Sequence, residues 1–224
     1  GGLALSYTMR ILILLLLLVT TWALWTTKLG RRPPSFELRI GELRDLPALV
    51  SVAHAEFQEQ HESPLERQAL WVVLCLGFSL RLMSDESVVV VAEEAGSLKG
   101  MAELSMQPSG EPAPAVPLPD WMKREPLTPY ISNLLVTSDA RRRGLGKQLV
   151  AFCERTAQRD WGLSTVALHF DDDDTRLHRF YNRLRFHTSG LCEFQGINLT
   201  YAVKDLSGPS SYLPSFAPSG NKNK

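Results

Sequence analysis

The sequence predicts an α/β fold, a mixed sheet flanked by helices on both faces. From residue 36 to 206 the apolar patterns change in the order strand, two helices, three strands, helix, strand, helix, two strands, which is typical of such a domain. Two segments carry most of this prediction: the hairpin "SVVVVAEEAGSLKGMAELSMQ" and the strand, turn and helix start "YISNLLVTSDARRRGLGKQLV". At 224 residues, the chain is long enough for one ordinary domain with extensions.

Residues 1–35 are predicted to be a targeting or anchoring segment and a linker. Ile11–Trp25 is a run of 15 residues that is apolar apart from two threonines, with basic residues on both sides. It is shorter than the ~20 residues that span a bilayer and suits the core of a signal peptide. Trp22 and Trp25 also suit the interfacial end of an uncleaved anchor. Both alternatives deliver the chain to a membrane.

The first half of the domain, which begins at residue 36, contains two helices between strands. The predicted elements are a strand over Phe36–Ile40, helices over Leu43–Gln58 and Pro64–Arg81, and an antiparallel hairpin over Ser87–Gln107 that turns at "EEAGS". Helical spacing predicts these inward residues: Leu46, Leu49, Val52, Ala55 and Phe57 on the first helix, and Leu65, Leu70, Val73 and Leu76 on the second.

The second half begins after a proline-rich insert, residues 107–128, which is predicted to be a loop or disordered. The predicted elements that follow are a strand over Tyr130–Val136, a helix over Leu145–Arg159, a strand over Leu163–Phe170, a helix over Thr175–Leu184, and strands over Phe186–Phe194 and Ile197–Val203. Residues 207–224 are rich in Ser, Pro, Asn and Lys and are predicted to be a disordered tail.

Charge and cysteine content exclude several classes of protein. The 24 basic residues balance the 24 acidic ones, so no overall positive field favours nucleic acid as a partner. Cys75, Cys153 and Cys192 are far apart and have neither the spacing of a metal site nor that of a disulfide framework. We therefore predict no metal cofactor and no nucleic-acid partner.

The turn Arg141–Gly146 has the composition of a phosphate-binding site. Arg141, Arg142 and Arg143 supply fork-shaped donors, and Gly144 and Gly146 let backbone N–H groups at a helix start approach an anion. A P-loop is excluded because Gln148 stands where Ser or Thr is needed, and a dinucleotide-binding loop is excluded because Leu149 stands at the third glycine position.

The motif Arg-x-x-Gly-x-Gly, followed by "VALHFDDDDTRLHRFYNRLRF", resembles the GNAT superfamily of N-acetyltransferases. The string "YISNLLV" after a proline-rich insert is particularly similar to plant-plastid and cyanobacterial members. The resemblance implies that acetyl-CoA is the co-substrate and a primary amine the acceptor, with protein N-termini and lysine side chains favoured. The residues that it implies for binding acetyl-CoA are the backbone of Leu134, Leu135 and Val136, the turn residues Arg141, Arg142, Arg143, Gly144, Leu145, Gly146 and Lys147, and the helix-start residue Asp174.

The same resemblance implies two catalytic residues. Tyr181 matches the tyrosine that donates a proton to the thiol of CoA, and a phenol with a pKa near 10 stays protonated at neutral pH. His169 precedes it by 12 residues, where ribosomal-protein acetyltransferases carry a glutamate that serves the amine. His169 is predicted to share a sheet face with Ala167. Two positions depart from the family: Asp174 replaces an asparagine, and Arg185 replaces a glycine.

Alternatives remain open at this point. Asp171–Asp174 is interpreted as a loop and helix N-cap rather than a metal site, because neighbouring carboxylates point in different directions. The departures at Asp174 and Arg185 favour a non-catalytic acyl-CoA-binding module, and the N-terminal segment favours a membrane-tethered interaction protein. Membrane delivery is expected first, and a plastid is the expected final location.

Overall fold

A computed structural model describes residues 36–58, 63–117, 119, 122–194 and 196–207. All of these residues except Phe36 belong to one compact unit, residues 37–224. The strands are β1 (Glu37–Ile40), β2 (Ser87–Glu94), β3 (Ser97–Pro108), β4 (Leu127–Val136), β5 (Thr165–Asp171), β6 (His187–Phe194) and β7 (Ile197–Asp205). The α-helices are α1 (Leu46–Phe57), α2 (Pro64–Met83), α3 (Leu145–Arg155) and α4 (Thr175–Arg183).

The element order agrees with the prediction. A short 3-10 turn, Leu43–Asp45, precedes α1, and α3 continues as a π-helical turn over Thr156–Asp160. The predicted targeting segment, residues 1–35, and the tail from residue 208 lie outside the described residues. Within the described part of the chain, no helix combines the length and the apolar character needed to cross a membrane.

The seven strands form one sheet in the order β1-β2-β3-β4-β5-β7-β6. Neighbouring strands are antiparallel except β4 and β5, which are parallel. The prediction of a mixed sheet is therefore confirmed. The hairpin between β2 and β3 turns at Ala95 and Gly96, whose φ angles of 52° and 73° match the left-handed pair that a two-residue hairpin turn requires.

Helices cover both faces of the sheet, as predicted. On one face, Leu49 of α1 and Phe78 of α2 belong to a buried cluster with Met101 of β3. On the other face, α3 approaches β3 so closely that a Cβ at Gly100 would lie 3.1 Å from Leu145 and 3.2 Å from Leu149. Because Gly100 and Met101 are consecutive in a strand, they point to opposite faces, so α3 lies across the sheet from α1 and α2.

The predicted inward face of α2 was wrong. Leu65 and Leu76 are 75% and 50% exposed, and Val73 is also exposed, whereas Phe78 and Arg81 are buried. The helix is apolar almost all round between residues 69 and 83, so periodicity does not select a face. On α1 the buried residues are Leu49, Val50 and Ala53, and the predicted Ala55 is exposed.

The buried side chain of Arg81 fixes the proline-rich insert. It is 3% exposed and forms an ion pair with Glu103 of β3, which is 1% exposed. Its guanidinium also donates to the carbonyls of Pro114 at 2.7 Å and Ala115 at 2.8 Å. Gly77 makes this approach possible, since a Cβ there would lie 2.6 Å from the Ala115 carbonyl oxygen. Residues 109–117 of the insert thus form a loop held against α2, whereas its first two and last two residues belong to β3 and β4.

Candidate functional site

The strands β4 and β5 separate after a single pairing. Tyr130 pairs with Ala167, and no later residue of either described strand pairs with the other. β4 continues to Val136 alongside β3, and β5 continues to Asp171 alongside β7. The facing edges therefore hold backbone N–H and C=O groups that no neighbouring strand satisfies. This arrangement creates a cleft at the carboxyl ends of two parallel strands.

A bulge in β4 shapes one wall of the cleft. The register with β3 shifts where Asn133 takes a φ of 48°, a left-handed conformation that asparagine tolerates. The Asn133 amide donates to the Glu103 carboxylate at 2.8 Å, so the buried Arg81–Glu103 pair also holds the bulge.

After the bulge, the three β4 residues predicted to contact acetyl-CoA do not all direct their backbone groups towards the cleft. Thr137 N–H donates to Lys99 of β3, whereas the Val136 carbonyl accepts from Arg141 Nε at 3.0 Å. Backbone groups alternate along a strand, so Leu134 and Val136 direct theirs towards the cleft. The backbone of Leu135 points towards β3 instead.

The Arg141–Gly146 turn lies at the mouth of this cleft, at the start of α3. Arg142 and Gly144 adopt left-handed backbone conformations, with φ angles of 61° and 82°. Within the described residues, the backbone N–H groups of Gly144, Leu145 and Gly146 have no acceptor, as expected for a helix N-terminus. Free N–H groups beside a positive helix end form an anion-binding surface.

Two of the three arginines of the turn are paired with acidic side chains. Arg141 donates to both carboxylate oxygens of Glu56, at 2.6 and 2.7 Å, and Arg143 pairs with Glu94. The side chain of Arg142 is exposed and forms no ion pair with the described residues. The Arg141–Glu56 pair is exposed, and an exposed pair contributes little to stability, so a phosphate can replace the carboxylate as the partner of Arg141.

Tyr181 lies on α4 among aromatic rings beside the cleft. Its ring stacks on Phe170 at 5.0 Å between centroids and meets Phe180 and Phe186 edge to face. Burial raises the pKa of Tyr181 to about 12. Its hydroxyl makes no hydrogen bond with the described residues. The phenol therefore carries its proton at neutral pH and is available as a donor.

His169 is paired with Tyr130, a residue that the sequence did not single out. The Tyr130 hydroxyl lies 3.0 Å from His169 Nδ1 and accepts the backbone N–H of His169 at 3.1 Å. The ring of Tyr201 lies 4.8 Å from that of His169. Burial lowers the pKa of His169 to about 4, so the imidazole is neutral at pH 7. Its Nε2 atom is buried and makes no hydrogen bond within the described residues.

His169 and Tyr181 lie on opposite faces of the sheet. His169 shares a face with Ala167 and therefore with Tyr130, as the alternation predicts. Tyr181 packs on Phe170, which points to the other face. A proton acceptor and a proton donor thus approach the cleft from different sides.

The aspartates after β5 have structural partners. Asp174 is the N-cap of α4, because its carboxylate accepts the backbone N–H of Arg176 at 2.8 Å. The Arg176 side chain holds the pKa of Asp174 at about 2. Asp172 accepts from Thr200 and lies 3.3 Å from Nε2 of His178. The described residues contain no group of side chains arranged to hold a metal ion.

Arg185 occupies the position after α4 where a glycine was expected. Its φ angle of 67° is left-handed, and two hydrogen bonds close the helix end: Arg185 N–H to Asn182 C=O at 3.0 Å and Phe186 N–H to Tyr181 C=O at 3.1 Å. This is a Schellman motif, whose usual residue at this position is glycine. The turn therefore keeps its shape despite the arginine.

Comparison with known proteins agrees with this geometry. The model of the acetyltransferase (GNAT) family matches residues 46–186. No curated protein matches the chain significantly. Similar solved structures include an N-acetyltransferase from Staphylococcus aureus (20% identity, TM-score 0.55, 77% of this chain and 99% of that chain). Another is a GCN5-related N-acetyltransferase from Ralstonia eutropha (23% identity, TM-score 0.54, 71% and 97%).

A third similar structure is the PaiA N-acetyltransferase from Thermoplasma acidophilum, determined in complex with coenzyme A (15% identity, TM-score 0.51, 76% of this chain and 99% of that chain). At these identities the likeness shows a shared fold.

Proposed function

We propose that this chain, which belongs to the acetyltransferase (GNAT) family, transfers an acetyl group from acetyl-CoA to a primary amine. The observation that carries the proposal is the separation of β4 and β5 beyond the Tyr130–Ala167 pair. The resulting cleft begins beside His169 and Tyr130, and the phosphate-binding turn lies at the β4 side of its mouth.

The residues around the cleft fit the parts of acetyl-CoA. A diphosphate suits the free N–H groups of Gly144 to Gly146 and the arginines beside them. The extended pantetheine arm suits the edge of β4 near Leu134 and Val136 that no strand pairs with, since its amides can take the place of a neighbouring strand. Phe170, Phe180 and Tyr181 supply an apolar surface beside it.

The chemistry follows from the two titratable residues. The lone pair of the amine attacks the thioester carbon, and the C–N bond forms while the C–S bond breaks. The nitrogen becomes acidic as this bond forms, so even a histidine with a pKa near 4 accepts its proton at Nε2. In that tautomer Nδ1–H donates to the Tyr130 oxygen. The Tyr181 hydroxyl gives its proton to the departing thiolate.

Protein N-termini and lysine side chains are the acceptors that we propose. The support is the similarity of "YISNLLV" and the preceding proline-rich insert to plastid-type members. We also propose that residues 11–25 direct the chain to a membrane and that a plastid is its final location. A fluorescent fusion of residues 9–40 followed by carbonate extraction tests this part, and a diffuse cytosolic signal would contradict it.

Incubation of the full chain with acetyl-CoA and a peptide mixture tests the activity. Free thiol release and a mass increase on peptide amines are expected, and the modified amines identify the substrate class. Binding of acetyl-CoA in calorimetry without thiol release would favour a non-catalytic acyl-CoA-binding module. Absence of binding would contradict the proposed function.

A further inference from the structure

Two buried polar atoms without partners lie on the two strands that border the cleft. They are Ser132 Oγ on β4 and His169 Nε2 on β5, and neither makes a hydrogen bond within the described residues. A buried polar atom without a partner is unfavourable by itself. Two such atoms on the strands that border the cleft therefore point to a ligand that satisfies both.

The strand register places the two side chains on the same face of the sheet, at the same level beyond the last pairing of β4 and β5. Ser132 lies two residues after Tyr130, and His169 lies two residues after Ala167, the partner of Tyr130. Both side chains therefore point to the same face, one step beyond the last pairing. Ser132 also pairs with Glu103, which confirms that this is the face covered by α2. Paired strands are about 4.8 Å apart, and at this level β4 and β5 are no longer paired.

We propose that Ser132 and His169 together form the site for the acceptor nitrogen. This inference rests on the proposed acetyltransferase function. A neutral primary amine has two N–H groups, which donate to Ser132 Oγ and His169 Nε2, and its lone pair remains free for the thioester carbon. When the C–N bond forms and the C–S bond breaks, the N–H on His169 passes its proton to Nε2, and the thiolate takes the proton of Tyr181.

The site accordingly favours primary amines. A secondary amine has one N–H group, and that group must donate to His169 because His169 takes its proton in the reaction. Ser132 is then left without a partner. The carboxylate nearest to Ser132 in the strand register, Glu103, is already paired with Arg81. It is therefore not available to bind an ammonium ion, and the site takes the uncharged amine.

A pair of matched substrates tests the proposal: the best peptide from the acetylation assay and the same peptide with its reactive amine N-methylated. For Ser132→Ala, we expect kcat/KM to fall about 3- to 10-fold for the primary amine, the effect of one hydrogen bond, and to stay unchanged for the N-methyl amine. The affinity for acetyl-CoA is expected to stay at the parent value. Ser132→Thr, which keeps the hydroxyl, should restore the preference.

Ser105→Ala is the control. Ser105 is buried on the same sheet face, but its hydroxyl already accepts from Gln107 Nε2 at 3.0 Å, so the variant should not change amine preference. If Ser132→Ala does not fold, Ser132→Cys gives the same comparison. Equal losses for both amines, or no loss for either, would overturn the inference while leaving acetyl transfer by the parent intact. Failure of the parent to acetylate any amine would instead refute the proposed function on which the inference rests.

Discussion

The backbone N–H of His169 donates to the Tyr130 hydroxyl at 3.1 Å, and the same oxygen lies 3.0 Å from Nδ1 of the His169 ring. Tyr130 is the last residue of β4 to pair with β5. Its hydroxyl therefore takes the place of the carbonyl that a continuing β4 would offer to His169. One side chain both ends the pairing of the strands and orients the candidate base.

Replacing Tyr130 with Phe removes both contacts and keeps the ring. We expect kcat to fall about tenfold, because His169 loses the partner that fixes its ring, a loss of roughly one hydrogen bond. The affinity for acetyl-CoA in calorimetry should stay close to that of the parent. Tyr201→Phe is the matched control, since the Tyr201 ring contacts His169 without bonding to it. Equal effects of the two substitutions would show that Tyr130 only packs.

Tyr181→Phe should retain acetyl-CoA binding and lose turnover. The stacking on Phe170 is preserved, and only the proton for the thiolate is missing, so we expect kcat to fall about 10²- to 10⁴-fold. Steady-state kinetics with calorimetry on the same preparations separates the two quantities. Turnover within threefold of the parent would show that Tyr181 is a core residue.

Removal of Arg141 or Arg143 should weaken acetyl-CoA binding. Each Ala substitution is expected to cost about 1.5–3 kcal/mol in calorimetry, the range for a charge-assisted hydrogen bond. Glu56→Gln and Glu94→Gln are the controls, because they remove the carboxylates that hold these arginines but keep the guanidinium groups. The controls should bind at least as tightly as the parent. Unchanged affinity of both arginine variants for acetyl-CoA would show that the turn does not bind the phosphates.

Arg185→Gly should stabilise the domain. A side chain in the left-handed region costs about 1 kcal/mol, and Arg185 is exposed, so its loss removes little packing. After the entropy of glycine in the unfolded chain is subtracted, we expect the free energy of unfolding to rise by about 0.5 kcal/mol in denaturant titrations. Arg179→Gly, at an exposed position inside the helix, should lower it by about 1 kcal/mol. A similar decrease in the free energy of unfolding of both variants would show that the backbone of Arg185 is not strained.

The half-buried His169 should make stability depend on pH in a defined window. Its pKa falls from an ordinary 6.5 to about 4 on folding, so between these values the unfolded chain binds a proton that the folded chain does not. Stability is then highest above pH 6.5 and declines as the pH falls towards 4. Thermal unfolding of the parent and of His169→Gln, measured across this range, should show a smaller decline in the variant. Parallel curves would indicate that His169 titrates normally when folded.

The element order, the hairpin and the conformation of the Arg141–Gly146 turn were predictable because each depends on local sequence, whereas the two catalytic candidates were implied by the family resemblance. Glycines permit left-handed turns, alternation places Ala167 and His169 on one face, and the spacing in "HFDDDDTRLHRFY" sets Tyr181 on the helix after β5. The fold confirms the order of these elements, and the candidate roles stay predictions. The buried face of α2 was not predictable, because its apolar residues surround the helix.

Tertiary structure alone decided which residues complete the site. Tyr130 became a hydrogen-bond partner of His169, and Ser132 came to share its sheet face, only through the register of β4 on β5. This register joins residues almost 40 positions apart, and no local pattern encodes it. The burial of Arg81 and Glu103 also depends on tertiary structure, because each charge is stable inside the protein only when the other lies beside it. Local sequence determined the elements and the turn chemistry, whereas strand register and the pairing of distant charges determined the walls of the cleft.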